Sequence, residues 1–158
     1  MSSLEVTIPT DREVLTRRRF SAPRGLVYRA HTEPDLIKRW LLGPPGWTMP
    51  ECRFDARVGG SYFYRWAHPT EPGFALTGII TEIDPPDRIV SRENFDSQWT
   101  GGETEVTQDF IPDGDGTIVA QRILFASREA REAGMATGMT DGMAMSFDAL
   151  ERLLAELA

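Results

Sequence analysis

Gly134–Leu157 reads GMATGMTDGMAMSFDALERLLAEL, and the repeat inside this stretch decides how the rest of the chain is read. A Gly-Met pair recurs every four residues, at Gly134-Met135, Gly138-Met139 and Gly142-Met143, before a cleaner amphipathic pattern takes over. On an α-helix a step of four residues overshoots one turn by about 40°. Met135, Met139, Met143 and Phe147 therefore form one slowly drifting stripe, which Leu150, Leu154 and Leu157 continue. Asp141, Asp148, Glu151, Arg152 and Glu156 fall mainly elsewhere, as one buried face requires. The stretch predicts a long helix laid on something apolar. Three glycines inside it would cost roughly 1 kcal/mol each relative to alanine, so either the helix proper starts near Gly138 or the bare strip serves a close approach.

What the helix lies against comes from the preceding residues. Glu13–Phe20 reads as a first strand. Ser21 and Thr32 are the expected caps of two short helices, with Pro23 and Pro34 in their first turns, and Gly43-Pro44-Pro45-Gly46 stops the second. Six runs with strand character follow: Thr48–Arg57, Ser61–Ala67, Gly73–Ile83, Arg88–Phe95, Glu103–Ile111 and Thr117–Phe125. The segments between them, such as Gly59-Gly60, Pro85-Pro86 and Asp113-Gly114-Asp115-Gly116, carry the chemistry of turns between antiparallel neighbours. Met1–Thr10 reads as a loose lead-in. The order is strand, two short helices, six strands and one long helix, an α+β arrangement with about seven strands in a meander. Two short helices cannot cover such a sheet, so the C-terminal helix is its natural cover.

The totals fit this picture. A chain of 158 residues suits one domain with a core large enough to need no disulfide or metal. Its single cysteine, Cys52, the lack of a leader and the lack of a long apolar run lead to the expectation of a soluble, cytoplasmic protein with no membrane insertion. A net charge of −7 weighs against a broad grip on nucleic acid. The one basic cluster, Arg17-Arg18-Arg19, lies in a strand-like run and reads as a solvated or paired strand.

Five segments together resemble a known family: RRFSAPRGLVYRAHTEPDLIKRWLLGPPGW, FDARVGGSYFYRW, GIITEIDPPDRIV, VTQDFIPDGDGT and GMAMSFDALERLLAEL. They are similar to the bacterial proteins related to the activator of the ninety-kilodalton heat-shock protein ATPase, within the SRPBCC, or START-like, group. The resemblance runs from about Arg12 to Leu157. It implies a helix-grip fold, in which a curved seven-stranded antiparallel sheet wraps the long C-terminal helix and a pocket between them takes an apolar or aromatic molecule. It implies no activity, since the fold hosts carriers, receptors, cyclases and co-chaperones. Relatives often carry Gly-Trp on the last helix where this chain has Gly142-Met143, and two adjacent aromatics where it has Trp40-Leu41. Both changes replace a ring by a more adaptable side chain.

Candidate pocket residues follow from residue type. Met139, Met143 and Phe147 carry the helix stripe, and Trp40, Tyr62, Tyr64 and Trp66 supply flat faces with polar tips. For each of these, core packing is the competing reading. Trp47 and Trp99 fall in loop-like stretches. Among polar residues inside strands, Glu93 and Arg122 form a candidate pair for orienting a ligand's polar end, with exposure on the convex face as the alternative; Gln108 and Gln121 share that setting. His31 and His68 lie far apart without ligand spacing, and Asp113 and Asp115 fit a hairpin turn better than a calcium loop, so no metal site and no cofactor is expected. No nucleophile elbow or activated cysteine is present, and His68 is the one loop histidine that acid–base chemistry could use.

The leading expectation is a protein that binds a hydrophobic small molecule between sheet and helix. An interaction or co-chaperone-like module with a small or filled cavity, and an enzyme acting on a hydrophobic substrate, are the alternatives. A cavity below roughly 300 Å³ favours the module. A homodimer is compatible with exposed aromatic strands, and a chaperone partner is implied only by the resemblance, which lacks the added domain of the eukaryotic co-chaperone.

Overall fold

A computed structural model of the chain describes residues 3–96 and 101–158. Within them lie eight strands and four helices in one antiparallel sheet and its cover. The strands are β1 (Glu5–Thr7), β2 (Glu13–Phe20), β3 (Thr48–Phe54), β4 (Ser61–Ala67), β5 (Phe74–Asp84), β6 (Arg88–Phe95), β7 (Thr104–Asp113) and β8 (Gly116–Leu124). The helices are α1 (Arg24–Thr32), α2 (Pro34–Trp40), α3 (Arg128–Ala136) and α4 (Met139–Leu157). The sheet order is β1-β2-β8-β7-β6-β5-β4-β3, so β3 to β8 form a meander and β2 closes onto its last strand.

Two expectations are corrected, and one left open is resolved. The sheet has eight strands, not seven, because residues read as a loose lead-in supply β1, pairing Val6 with Thr16 beside β2. The long helix proper starts just after Gly138, as one of the two alternatives had it, and the residues before it form a separate helix, α3, which Ser127 caps by accepting from the Ala130 amide at 3.0 Å. Gly138 has φ 79°, a left-handed conformation natural to glycine after a helix end, and α4 starts at the next residue. Gly134, on α3, serves close approach, since a Cβ there would lie 2.8 Å from the Phe125 ring. Lastly, neither Ser21 nor Thr32 caps a helix. Pro23 and Glu33 occupy those positions without side-chain caps, and the Thr32 hydroxyl donates back to the Tyr28 carbonyl at 3.1 Å.

Register shifts between Thr48 and Glu51 on β3 and between Ile80 and Glu82 on β5 are bulges that bend the strands carrying them. Side chains alternate on β4. Tyr62, Tyr64 and Trp66 are buried, whereas Phe63 faces the other way beneath the Arg53 guanidinium, 4.6 Å from its ring centre.

The core falls into three clusters. In one, Phe147, Leu150, Leu153 and Leu154 of α4 meet Phe20, Ile89, Phe110 and Val119 of the sheet and the buried faces of α1 and α2. The second joins Ile37 of α2 to β3, β4 and β5 through Met49, Tyr62, Tyr64, Trp66, Leu76 and Ile80. The third packs Ala130 of α3 and the methionines against Val14, Val106, Ile123 and Phe125. Among the described residues, no helix is long and apolar enough to cross a membrane.

Candidate functional site

Where the three clusters meet they leave a cavity of about 580 Å³. Its walls take residues from each: Trp40 and Phe147 from the first, Tyr62, Tyr64 and Trp66 from the second, Ile123 and Phe125 from the third. Met139, Gly142 and Met143, at the start of α4, form another side.

Local bonding sets the aromatic wall. The Trp40 indole N–H donates to the Ala30 carbonyl and the Trp66 N–H to the Leu41 carbonyl, both at 2.8 Å. With their polar atoms satisfied by backbone, both rings present apolar surface inward. Trp40 stacks on Phe147 with centroids 5.9 Å apart, and Trp66 stacks on Phe74 at 4.8 Å. Ser146 anchors this end, its Oγ accepting the Gly43 amide at 2.8 Å and tying the loop after α2 to α4. Core packing and cavity lining turn out not to be alternatives: Trp40, Tyr62, Tyr64, Trp66 and Phe147 are each at most 7% exposed and each border the cavity.

The polar part of the wall is built across three strands. Gly78 of β5 stands between Tyr62 of β4 and Glu93 of β6 in register. A Cβ at Gly78 would fall 2.0 Å from the Tyr62 ring, so only glycine lets the phenol lie across β5. Its hydroxyl then donates to Glu93 Oε2 at 2.5 Å and lies 2.8 Å from Ser91 Oγ. Burial raises the Glu93 carboxyl above its ordinary range, and the Tyr62 hydrogen bond offsets part of that. Burial, reinforced by the Glu93 charge, pushes the Tyr62 and Tyr64 phenols well up, so both stay protonated. Gln108 and Gln121, opposite each other on β7 and β8, add two amides to the lining.

The expected pairing of Glu93 with Arg122 does not form. Arg122 lies on the other face of the sheet, where its guanidinium Nε bonds Glu13 of β2 and borders a separate groove with Arg17, Arg88 and Asp109. Neighbouring Gln121 takes the inward position, because a step of one residue along a strand changes faces. His68 is not part of the lining either; its Nδ1 accepts the Thr70 and Glu71 amides, each at 3.1 Å, and its ring packs on Trp47, which does border the cavity. Asp113 and Asp115 both pair with Arg19, at 2.9 and 3.1 Å. Trp99 lies outside the described residues.

Two residues that shape the wall, His31 by bordering the cavity and Gly78 by making room for Tyr62, were not among the pocket candidates. His31 of α1 is 7% exposed, and its Nδ1–H donates to the Val27 carbonyl at 2.8 Å. Burial lowers its pKa to about 4, so the ring is neutral, with Nε2 unpartnered among the described residues. Its helical spacing from Val27, on the buried face of α1, was the available signal. The other is Gly78, a lone glycine inside an apolar strand, a pattern that marks close approach.

Comparison with known proteins places this architecture. The family model described as "Activator of Hsp90 ATPase homolog 1-like protein" matches residues 21–155. A protein of known structure from Rhodobacter sphaeroides is 32% identical, with 97% of this chain and 99% of that chain covered at a TM-score of 0.91. Two further structures share the fold at lower identity. Protein NE0264 from Nitrosomonas europaea is 23% identical, covering 96% and 99% of the two chains at a TM-score of 0.82. Protein Ms6760 from Mycobacterium smegmatis is 20% identical, covering 98% and 97% at 0.85. No curated protein matches the chain. The chain belongs to the family of activator of Hsp90 ATPase homolog 1-like proteins.

Proposed function

We propose that this protein binds an apolar or aromatic small molecule in the cavity between the sheet and α4, in the manner of a helix-grip carrier. The observation that carries the reading is the cavity itself. At about 580 Å³ it is of the size of small-molecule sites, and indole, phenol, phenyl and thioether groups dominate its wall. Binding comes chiefly from apolar burial, at about 25 cal/mol per Å² removed from water. Trp40, Tyr62, Tyr64, Trp66, Met139, Met143 and Phe147 supply that surface, and Glu93 sets orientation. The methionines let one wall adjust to ligand shape. Cytoplasmic placement belongs to this reading and rests on the lone Cys52 and the composition.

The test uses Gly142, where an added Cβ would meet no atom within 4 Å on the border of the cavity. Nile red, an apolar dye that brightens when buried, should bind the wild type, and Gly142→Trp, which fills the space, should weaken binding by tenfold or more. Equal binding to both would place the dye on the surface and defeat the reading. A second reading, a module that docks a protein partner, draws on the family's description alone. It gains ground if the wild type takes up no dye.

A further inference from the structure

The cavity's single acid has a consequence for what can occupy it. Among the described residues of the lining there is no lysine or arginine, and residues 97–100 contain neither. His31 is held neutral by burial, and both tyrosines remain protonated. Glu93 is thus the group in that wall able to carry charge near neutral pH, and no described cation balances it from the cavity side.

The carboxyl is also held in place. Tyr62, braced by Ser91 and accommodated by the bare Gly78, donates to Oε2. Among the described residues no hydrogen bond reaches Oε1, and Glu93 borders the cavity. One oxygen is committed to the protein, and the other is left as an acceptor. The same wall carries the tilted rings of Tyr62 and Tyr64, with centroids 5.3 Å apart, and Tyr64 is near enough to feel the Glu93 charge.

Resting on the reading of this cavity as a small-molecule site, we infer that its ligand is an apolar or aromatic amine whose ammonium group donates to Glu93 Oε1. A charge-assisted hydrogen bond in a low-dielectric wall is the strong kind. The ammonium also supplies the opposite charge that makes an ionised Glu93 tolerable there. A fatty acid or phosphate ester is disfavoured by the same geometry, because its charge would face a carboxyl with no basic residue to receive it.

Dodecylammonium, 1-dodecanol and dodecanoate share one chain and differ at the head, and calorimetry at pH 7.5 in 150 mM salt compares them. We expect the amine to bind at least tenfold more tightly than the alcohol, with dodecanoate the weakest. Glu93→Gln should bring the amine to within about threefold of the alcohol when both are measured on that variant. That variant also controls for general attraction of a cation to a chain of net charge −7, since 23 of the 24 acidic residues remain. If the alcohol matches the amine, if dodecanoate binds best, or if Glu93→Gln keeps the amine preference, the inference is overturned while the apolar cavity reading stands. If neither the three probes nor Nile red binds the wild type, the cavity reading falls and takes the inference with it.

Discussion

His31 illustrates how a single buried group couples this fold to pH. Its ring is wedged edge-on between Trp40 and Phe110, with centroids 4.9 and 5.0 Å away, and among the described residues it bonds the Val27 carbonyl alone. Its pKa falls from 6.5 to about 4 on folding. The unfolded chain therefore binds a proton that the folded chain refuses, and stability is lost as pH drops from 6.5 towards 4. A shift of that size corresponds to about 3 kcal/mol at full effect. Urea titrations at pH 7 and pH 4 should find that His31→Phe loses markedly less stability between the two than the wild type does. Equal losses would mean that the ring is not excluded from solvent. Little of this is legible in the sequence, because the helical spacing of His31 from Val27 does not say what covers the face they share. Arg122 carries the related lesson for strands. Residue type made it a candidate partner for Glu93, but only the register between β2 and β8 tells which parity of β8 points inward.

At the scale of elements, turn chemistry was the most readable signal. Glu13–Phe20, Ser61–Ala67 and Arg88–Phe95 coincide with β2, β4 and β6, each bounded by glycine, proline or aspartate-rich turns. β1 was not readable, since all three of its residues are exposed and its only structural cue is pairing with β2. The period of the Gly-Met repeat is helical throughout and leaves the start of the helix open, yet its three glycines do three different things. Gly134 lets α3 approach Phe125, Gly138 turns the chain left-handed, and Gly142 borders open space inside α4. Opposite effects of the same substitution follow. Gly138→Ala forces a side chain into a left-handed backbone and should cost about 1–2 kcal/mol. Gly142→Ala removes helix-interior backbone freedom without a clash and should stabilise by roughly 0.5–1 kcal/mol. Thermal unfolding of the two variants decides; a Gly138→Ala protein as stable as the wild type would contradict the helix break.

For the whole molecule, the α+β order and the antiparallel meander were written in the alternation of turns and runs, and the five recognised segments fall in α1–α2, β3–β4, β5–β6, β7–β8 and α4. The cavity was not written there. Its volume is the small difference between a bent sheet and the helices that cover it, fixed by bulges on β3 and β5, by the Trp40–Phe147 stack and by the break before α4. Each of the three clusters buries large side chains to completion, among them Phe20, Ile80 and Phe125, so the space between them is bounded by packed walls. Such a space, lined mainly by aromatic and apolar groups, is favourable to a ligand because water inside it finds few partners.

Native mass spectrometry of the protein purified from its own host tests that central claim most directly, by comparing the native with the denatured mass. The account predicts a native mass that exceeds the chain mass, or a whole multiple of it, by a defined small molecule that is released on denaturation. A native mass equal to the bare chain or its multiple, in protein that also fails to take up added Nile red, would contradict it.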